Sequence, residues 1–229
     1  MTGRHVITVE RDLLADAQSQ AANVRESMTA RGTLVVNVMA SPGAGKTTLL
    51  AATADALRDQ VRVAVLVGDI ATDRDARRLA AHAPSVQLTT GGACHLDVGL
   101  VERGWRALGA PDVDILFVEN VGNLVCPAAH DLGEHLRVVL LSVAEGDDKP
   151  AKYPKAFRTS HALAITKSDL LPHVPFDVDR AVADARRIQP DLAVFEMSAL
   201  TGAGLSAWCE YLIAEQQRLA RGELCGPRR

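Results

Sequence analysis

Three groups of residues in this 229-residue chain have types and spacings that suit chemistry. The first is Ser41-Pro42-Gly43-Ala44-Gly45-Lys46-Thr47-Thr48. Gly43 and Gly45 let the backbone curl so that successive N–H groups, those of Ala44 to Thr48 among them, turn onto phosphate oxygens. Lys46 reaches the terminal phosphates and the Thr47 hydroxyl suits Mg²⁺. Ala40 stands where such loops usually have their first glycine, which a residue of negative φ tolerates. The second group is a pair of acids, Asp69 and Glu119, each closing an apolar run and each able to approach a metal on those phosphates. The third is Cys94, His95 and Cys126. Two thiolates and an imidazole suit a soft or borderline ion such as Zn²⁺ or Ni²⁺; by spacing alone, a small buried apolar role for each cysteine stays open.

These groups need elements to carry them. Thr33–Val38 is β-branched enough for a buried strand, and Thr48–Leu57 carries leucines and alanines at helical spacing, so the glycine loop sits between strand and helix. Further apolar strands are expected at Val61–Asp69, Val86–Thr90, Val113–Glu119, Leu136–Val143, His161–Thr166 and Leu192–Ser198. Helices are expected at Val9–Ala30, Asp73–Ala80, Asp97–Leu108, Asp177–Ile188 and Leu205–Leu219. Strands alternating with helices predict a doubly wound, mainly parallel α/β sheet with an N-terminal helix that packs on the domain or on a dimer partner. The expected division is a helical extension over 1–31, a nucleotide-binding domain over 32–220 and a mobile tail over 221–229. A 48% hydrophobic composition with 3% aromatics agrees with a core of Val, Leu, Ile and Ala. The net charge of −3 offers no footprint for nucleic acid or membrane, and no secretory pattern precedes the loop, so a cytoplasmic chain with free cysteines is expected.

The base of the nucleotide is indicated further along. Thr166-Lys167-Ser168-Asp169 resembles the Asn/Thr-Lys-x-Asp element of P-loop GTPases, with Thr in place of the commoner Asn and a weaker local hydrogen bond expected from it. A carboxylate at Asp169 accepts both N1–H and N2–H of guanine, a donor pair that adenine lacks. Lys167 would lay its stem over the base, and Ser198-Ala199-Leu200 resembles the loop packing on its opposite side. Glu119-Asn120-Val121-Gly122 resembles the Asp-x-x-Gly element, in which the acid holds Mg²⁺ and the glycine N–H senses the γ-phosphate. Lys46, Asp69, Glu119 and Gly122 are thus the expected catalytic set.

Four stretches together resemble the hydrogenase maturation GTPases that insert nickel into [NiFe]-hydrogenase, the HypB family. They are Ser41–Leu50, Gly91-Gly92-Ala93-Cys94-His95-Leu96-Asp97, Glu119–Pro127 and Ser142–Pro154. The resemblance implies a GTP-dependent homodimer with a metal site at its interface, ligated by Cys94, His95 and Cys126, which acts on a hydrogenase precursor with other accessory proteins. Asp69, Thr72, Asp75 and Arg78 match the family's Asp-x-x-Thr-x-x-Asp-Ala-x-Arg segment. Before the loop there is only His5 and no cysteine, so no separate nickel store is expected and another protein would deliver the metal. Cys126 lies four residues past Gly122, which predicts that the nucleotide state moves the metal site. Within 145–152, Lys149 or Lys152 either reaches a partner's nucleotide or belongs to a solvated loop. Slow intrinsic hydrolysis is expected, because no Gln or Arg stands out as an in-cis catalyst. A urease-type nickel GTPase, whose motif is Cys-Pro-His, and a zinc-binding regulatory GTPase are the competing readings.

Overall fold

The glycine loop emerges from β1 (Leu34–Ala40), a strand buried along its whole length, and enters α2 (Lys46–Leu57). A computed structural model describes residues 9–69 and 74–223, with side chains from residue 15 onward. Among these residues seven strands form one sheet: β1, β2 (Val63–Asp69), β3 (Ser85–Thr89), β4 (Ile115–Glu119), β5 (Leu136–Ser142), β6 (Ala162–Thr166) and β7 (Ala193–Glu196). Their order is β3-β2-β4-β1-β5-β6-β7, and every neighbouring pair runs parallel. The chain fills one side of β1 first, with β2, β3 and then β4 inserted between β2 and β1, and the other side with β5, β6 and β7, so the crevice at the carboxyl end of β1 is where such sheets take ligands.

Period-two alternation sends side chains to two faces. Val36, Val38 and Ala40 point into one core with Leu49, Leu50 and Leu57 of α2, Leu79 of α3 (Arg74–Leu79) and Trp208 and Leu212 of α8 (Leu205–Ala220). Val35 points the other way, to Val24 and Met28 of α1 (Val9–Ala30) and Val101 of α4 (Val98–Ala107). Met39 joins a third cluster on that second face, with Phe157 of α6 (Pro154–Arg158) and Ala181 and Ala185 of α7 (Val178–Ile188). Each fully buried leucine here contributes about 1.5–3 kcal/mol of transfer free energy.

Some boundaries differ from the sequence expectation for local reasons. The helix after the loop starts at Lys46 rather than Thr48, because Gly45, at φ 96°, turns the chain directly into it. β2 and β4 begin later than expected, since Asp114 accepts from the backbone N–H of Arg62 at 2.7 Å and holds that end as a turn. The stretch 145–152, expected as a loop, ends in a helical turn, α5 (Lys149–Lys152), continued by α6. Thr72 and Asp73, Cys225 and most of the expected tail lie outside the described residues.

Candidate nucleotide and metal site

Gly43 (φ 79°) and Gly45 (φ 96°) both take left-handed backbone, where a side chain is strained, while Ala40 closes β1 without positive φ. The loop bounds a cavity of about 520 Å³ into which Lys46, Thr47, Asp69, Glu119 and Gly122 all open. Asp75 and Arg78 line it from α3, so an arginine does open into the cavity bounded by the glycine loop. Thr47 Oγ1 donates to Glu119 Oε1 at 2.8 Å. The other carboxylate oxygen, Oε2, is buried with no hydrogen-bond partner. An orphaned carboxylate oxygen beside a threonine hydroxyl suits a hard divalent cation. Burial pushes the Glu119 carboxyl up to about 7 against the pull of Lys46 and the Thr47 bond. Burial also lowers the Lys46 ammonium, which Glu119, Asp75, Glu145 and Asp69 counteract by charge.

A second cavity of about 300 Å³ adjoins the first through Gly45, Thr48 and Lys167. Asp169, Ser198, Ala199 and Leu200, the residues expected at the base, all line it. Ser198 Oγ donates to Asp169 Oδ1 at 2.5 Å, which orients the carboxylate. Thr166 bonds more firmly than its substitution for Asn suggested: its hydroxyl donates to the carbonyl of Ala44 at 2.7 Å and ties the base element to the phosphate loop. Lys167 adds a second tie, Nζ to the carbonyl of Gly43 at 2.7 Å, from left-handed backbone at φ 59°. Leu200 is 84% exposed at the rim.

Gly122 packs directly on the loop, since a Cβ there would stand 3.1 Å from Pro42 Cα. Four residues on, Cys126 Sγ lies 2.8 Å from Cys94 Sγ, and Cys94 Sγ lies 3.8 Å from His95 Nδ1. The donor atoms of Cys94, His95 and Cys126 all fall within 4.8 Å of one another, a grouping that could hold one metal ion. The contact with Cys126 raises the Cys94 thiol above its ordinary range, so an ion binding there must displace a proton. Sequence reasoning missed His130, whose ring stacks on His95 with centroids 3.7 Å apart and planes at 10°. Burial, and then the neighbouring His95 and Lys155, hold its imidazole below the usual range. Its only sequence signal is a position four residues after Cys126. Lys149 lies 3.8 Å from Glu145 and 5.3 Å over the ring of Tyr153, whereas Lys152, paired with Asp148 at 2.5 Å, is the exposed lysine of the two.

A glycine loop at the switch point of a parallel sheet, continuous with a base cavity that ends in an aspartate, defines a nucleotide-binding protein of P-loop GTPase fold; this one also carries a thiolate–imidazole cluster. The nucleotide-binding domain of the CobW/HypB/UreG family matches residues 34–196. The hydrogenase maturation factor HypB of Azotobacter chroococcum is 46% identical over 217 residues, 94% of this chain and 70% of that protein. HypB of Escherichia coli K12 is 44% identical over 221 residues, 96% of this chain and 76% of that one. The crystal structure of HypB from Helicobacter pylori in complex with nickel superposes with a TM-score of 0.85 at 37% identity, over 89% of this chain and 96% of that one. The chain belongs to the HypB family of hydrogenase maturation factors. Among the described residues no helix is long and apolar enough to cross a membrane.

Proposed function

We propose that this chain is a GTP-hydrolysing metallochaperone that binds nickel at Cys94, His95 and Cys126 and hands it to a [NiFe]-hydrogenase precursor, as a homodimer formed in the GTP state. The observation that carries this reading is the short covalent path between the two sites: Gly122 packs on Pro42 of the phosphate loop, and Cys126 follows four residues later. Main-chain N–H groups of the loop and Lys46 hold the phosphates. Thr47 and Glu119, with Asp69 alongside, would hold a Mg²⁺ ion, which supplies neutralising charge to the β- and γ-phosphates. Asp169, oriented by Ser198, reads guanine, while Lys167 and Thr166 keep base and phosphate elements in register. A γ-phosphate that draws the Gly122 N–H inward shifts the segment bearing Cys126; after hydrolysis the segment relaxes and the ion is released. Each subunit contributes the same three ligands, so a two-fold interface would gather them from both. Arg78 is available to stabilise charge on the transferring phosphoryl group, yet with no glutamine among the described residues lining that cavity the intrinsic rate stays slow.

The test is nickel and zinc affinity of the reduced protein, with molecular mass, measured with GDP and then with a non-hydrolysable GTP analogue. Nickel affinity should differ between the two states by about fivefold or more, the dimer should predominate with the analogue, and Cys126→Ala should abolish the metal response. Equal nickel affinity and equal mass in both states would overturn the reading. A response to zinc with none to nickel would make the chain a zinc-binding switch.

A further inference from the structure

Four polar side chains lie fully buried between the nucleotide element and the metal loops: Asn37 (0% exposed), Asn120 (1%), Glu134 (0%) and Arg137 (4%). Asn37 sits in mid-β1 and Arg137 in β5, positions where the surrounding strands carry apolar residues. A buried ion pair and two buried amides are weak contributors to stability compared with apolar residues of similar volume, so their geometry calls for another explanation.

Their hydrogen bonds form one connected array. Asn120, which follows Glu119 directly, accepts at Oδ1 from the backbone N–H of Val121 at 2.9 Å and of Leu96 at 3.4 Å. Its Nδ2 donates to Asn37 Oδ1 at 3.2 Å, and Asn37 Nδ2 donates to Glu134 Oε1 at 3.3 Å. Glu134 Oε1 accepts from Arg137 Nε at 2.7 Å and from a second nitrogen of the same guanidinium, while Oε2 accepts from the backbone N–H of Leu132 at 2.7 Å. Arg137 then donates to the carbonyl of His130 at 2.9 Å and to that of Ala128 at 3.4 Å. His130 in turn stacks on His95. The array leaves Asn120 by two arms that end at two neighbours of His95. The short arm holds Leu96, next to His95 in the chain, and the long arm holds the backbone of the residue whose ring covers His95.

We propose that His130, held by the Asn120–Asn37–Glu134–Arg137 array, is a positioning residue that sets the plane of the His95 imidazole for the metal and makes that setting follow the Glu119–Gly122 element. A satisfied buried network has few alternative arrangements, so a displacement at Asn120 is passed on rather than absorbed. The stack leaves the His95 ring edge, where its nitrogens lie, open towards Cys94 and Cys126. This inference rests on the metal reading of Cys94, His95 and Cys126 given above.

The experiment uses the full reduced chain, Ni²⁺ titrated against a competing chelator, and Co²⁺ as a spectroscopic probe of ligand geometry. His130 is half-buried and its replacement spares the core. His130→Ala should weaken Ni²⁺ binding about five- to tenfold and shift the Co²⁺ ligand-field bands, while His130→Phe, which keeps a flat ring on His95, should restore both. Asn37→Ala, at a residue that lines neither the phosphate nor the base cavity and is no ligand, should shrink the nickel-affinity ratio between GTP-analogue and GDP states to below about twofold. Wild-type affinity and spectrum in His130→Ala would overturn the proposal, as would a wild-type nucleotide response in Asn37→Ala. Failure of the unsubstituted chain to bind nickel, or binding unaffected by Cys126→Ala, would instead overturn the metal reading, and this inference with it.

Discussion

At the scale of single residues, the proposed recognition of guanine rests on the charge of Asp169 and on where Ser198 holds it. Guanine offers two donors side by side, N1–H and the N2 amine, and a carboxylate accepts both. A primary amide in the same place keeps one acceptor and turns the other into a donor, which matches xanthine, with its N1–H and C2 carbonyl. Hydrogen bonds to a charged group contribute about 1.5–3 kcal/mol each, so Asp169→Asn should lower GTP affinity by at least about 100-fold and raise XTP affinity correspondingly. Competition of XTP against a fluorescent nucleotide measures this; unchanged GTP affinity would place the base reader elsewhere. Most of these elements were legible in the sequence, because Thr166–Asp169, Ser198–Leu200 and the glycine loop are each a short local pattern. The bonds that join them, Thr166 to Ala44, Lys167 to Gly43 and Ser198 to Asp169, are long-range and came from the fold. His130 was not legible, since its meaning depends on a stack with a residue 35 positions earlier in the chain.

At the scale of elements, α8 seals the face opposite α1 and α4, and its start is dictated by one glycine. Gly204 takes φ 72° directly before the helix, and a Cβ there would stand 2.1 Å from the carbonyl oxygen of Glu196 at the end of β7. That close approach seats Trp208, 1% exposed, so that its indole N–H donates to Thr53 Oγ1 in α2 at 3.0 Å. Gly204→Ala should therefore destabilise the protein by about 2–4 kcal/mol, combining left-handed strain with a clash against backbone. Gly222→Ala, with φ 74° but open space around its Cβ, should cost only about 1 kcal/mol. Urea unfolding of both variants compares them; equal losses would show that β7 yields and that the clash has no cost. The pattern of strands and long helices was readable from hydrophobic periodicity, whereas α5 was not, being a single turn whose proline and lysines also suit a solvated loop.

At the scale of the whole molecule, the attachment of α1 to the sheet introduces a dependence on pH. His135 is fully buried, its Nδ1 accepts from the backbone N–H of Val35 at 2.9 Å, and its Nε2 lies 3.0 Å from the hydroxyl of Thr29 in α1. Accepting at Nδ1 requires the neutral ring with the proton on Nε2. Burial, aided by the charge of Arg25, lowers this imidazole to about 4. Between pH 6.5 and 4 the unfolded chain therefore binds the extra proton and the folded one does not, so this contribution is complete above pH 6.5 and lost as pH falls through that window. At pH 5 the loss amounts to about 2 kcal/mol. Glu119 acts in the opposite sense: its raised carboxyl makes the fold bind the extra proton from about pH 4.5 to 7, so its contribution declines as pH rises. Comparing the chain with His135→Gln, which keeps an acceptor and a donor without titrating there, cancels the Glu119 term. The stability of the parent relative to the variant should fall by about 2 kcal/mol from pH 7 to pH 5 in denaturant unfolding, and a constant difference would contradict a buried neutral histidine.

The sequence by itself determined the parallel α/β sheet, the phosphate loop and its nucleotide elements, because each is encoded by neighbours in the chain: alternating apolar runs, glycines at left-handed positions, acids at strand ends. It also brought Cys94, His95 and Cys126 forward by their donor chemistry, though their grouping as one ligand set came only by resemblance, since their spacing carries no geometry. The tertiary structure decided what meets across the sheet. It placed the Cys94, His95 and Cys126 donor atoms within 4.8 Å of one another, packed Gly122 on Pro42, brought Arg78 to the cavity of the glycine loop and threaded Asn37, Asn120, Glu134 and Arg137 into one array. The physical reason is that a buried polar side chain is constrained by partners tens of residues away, and only the register of parallel strands brings those partners within hydrogen-bonding distance.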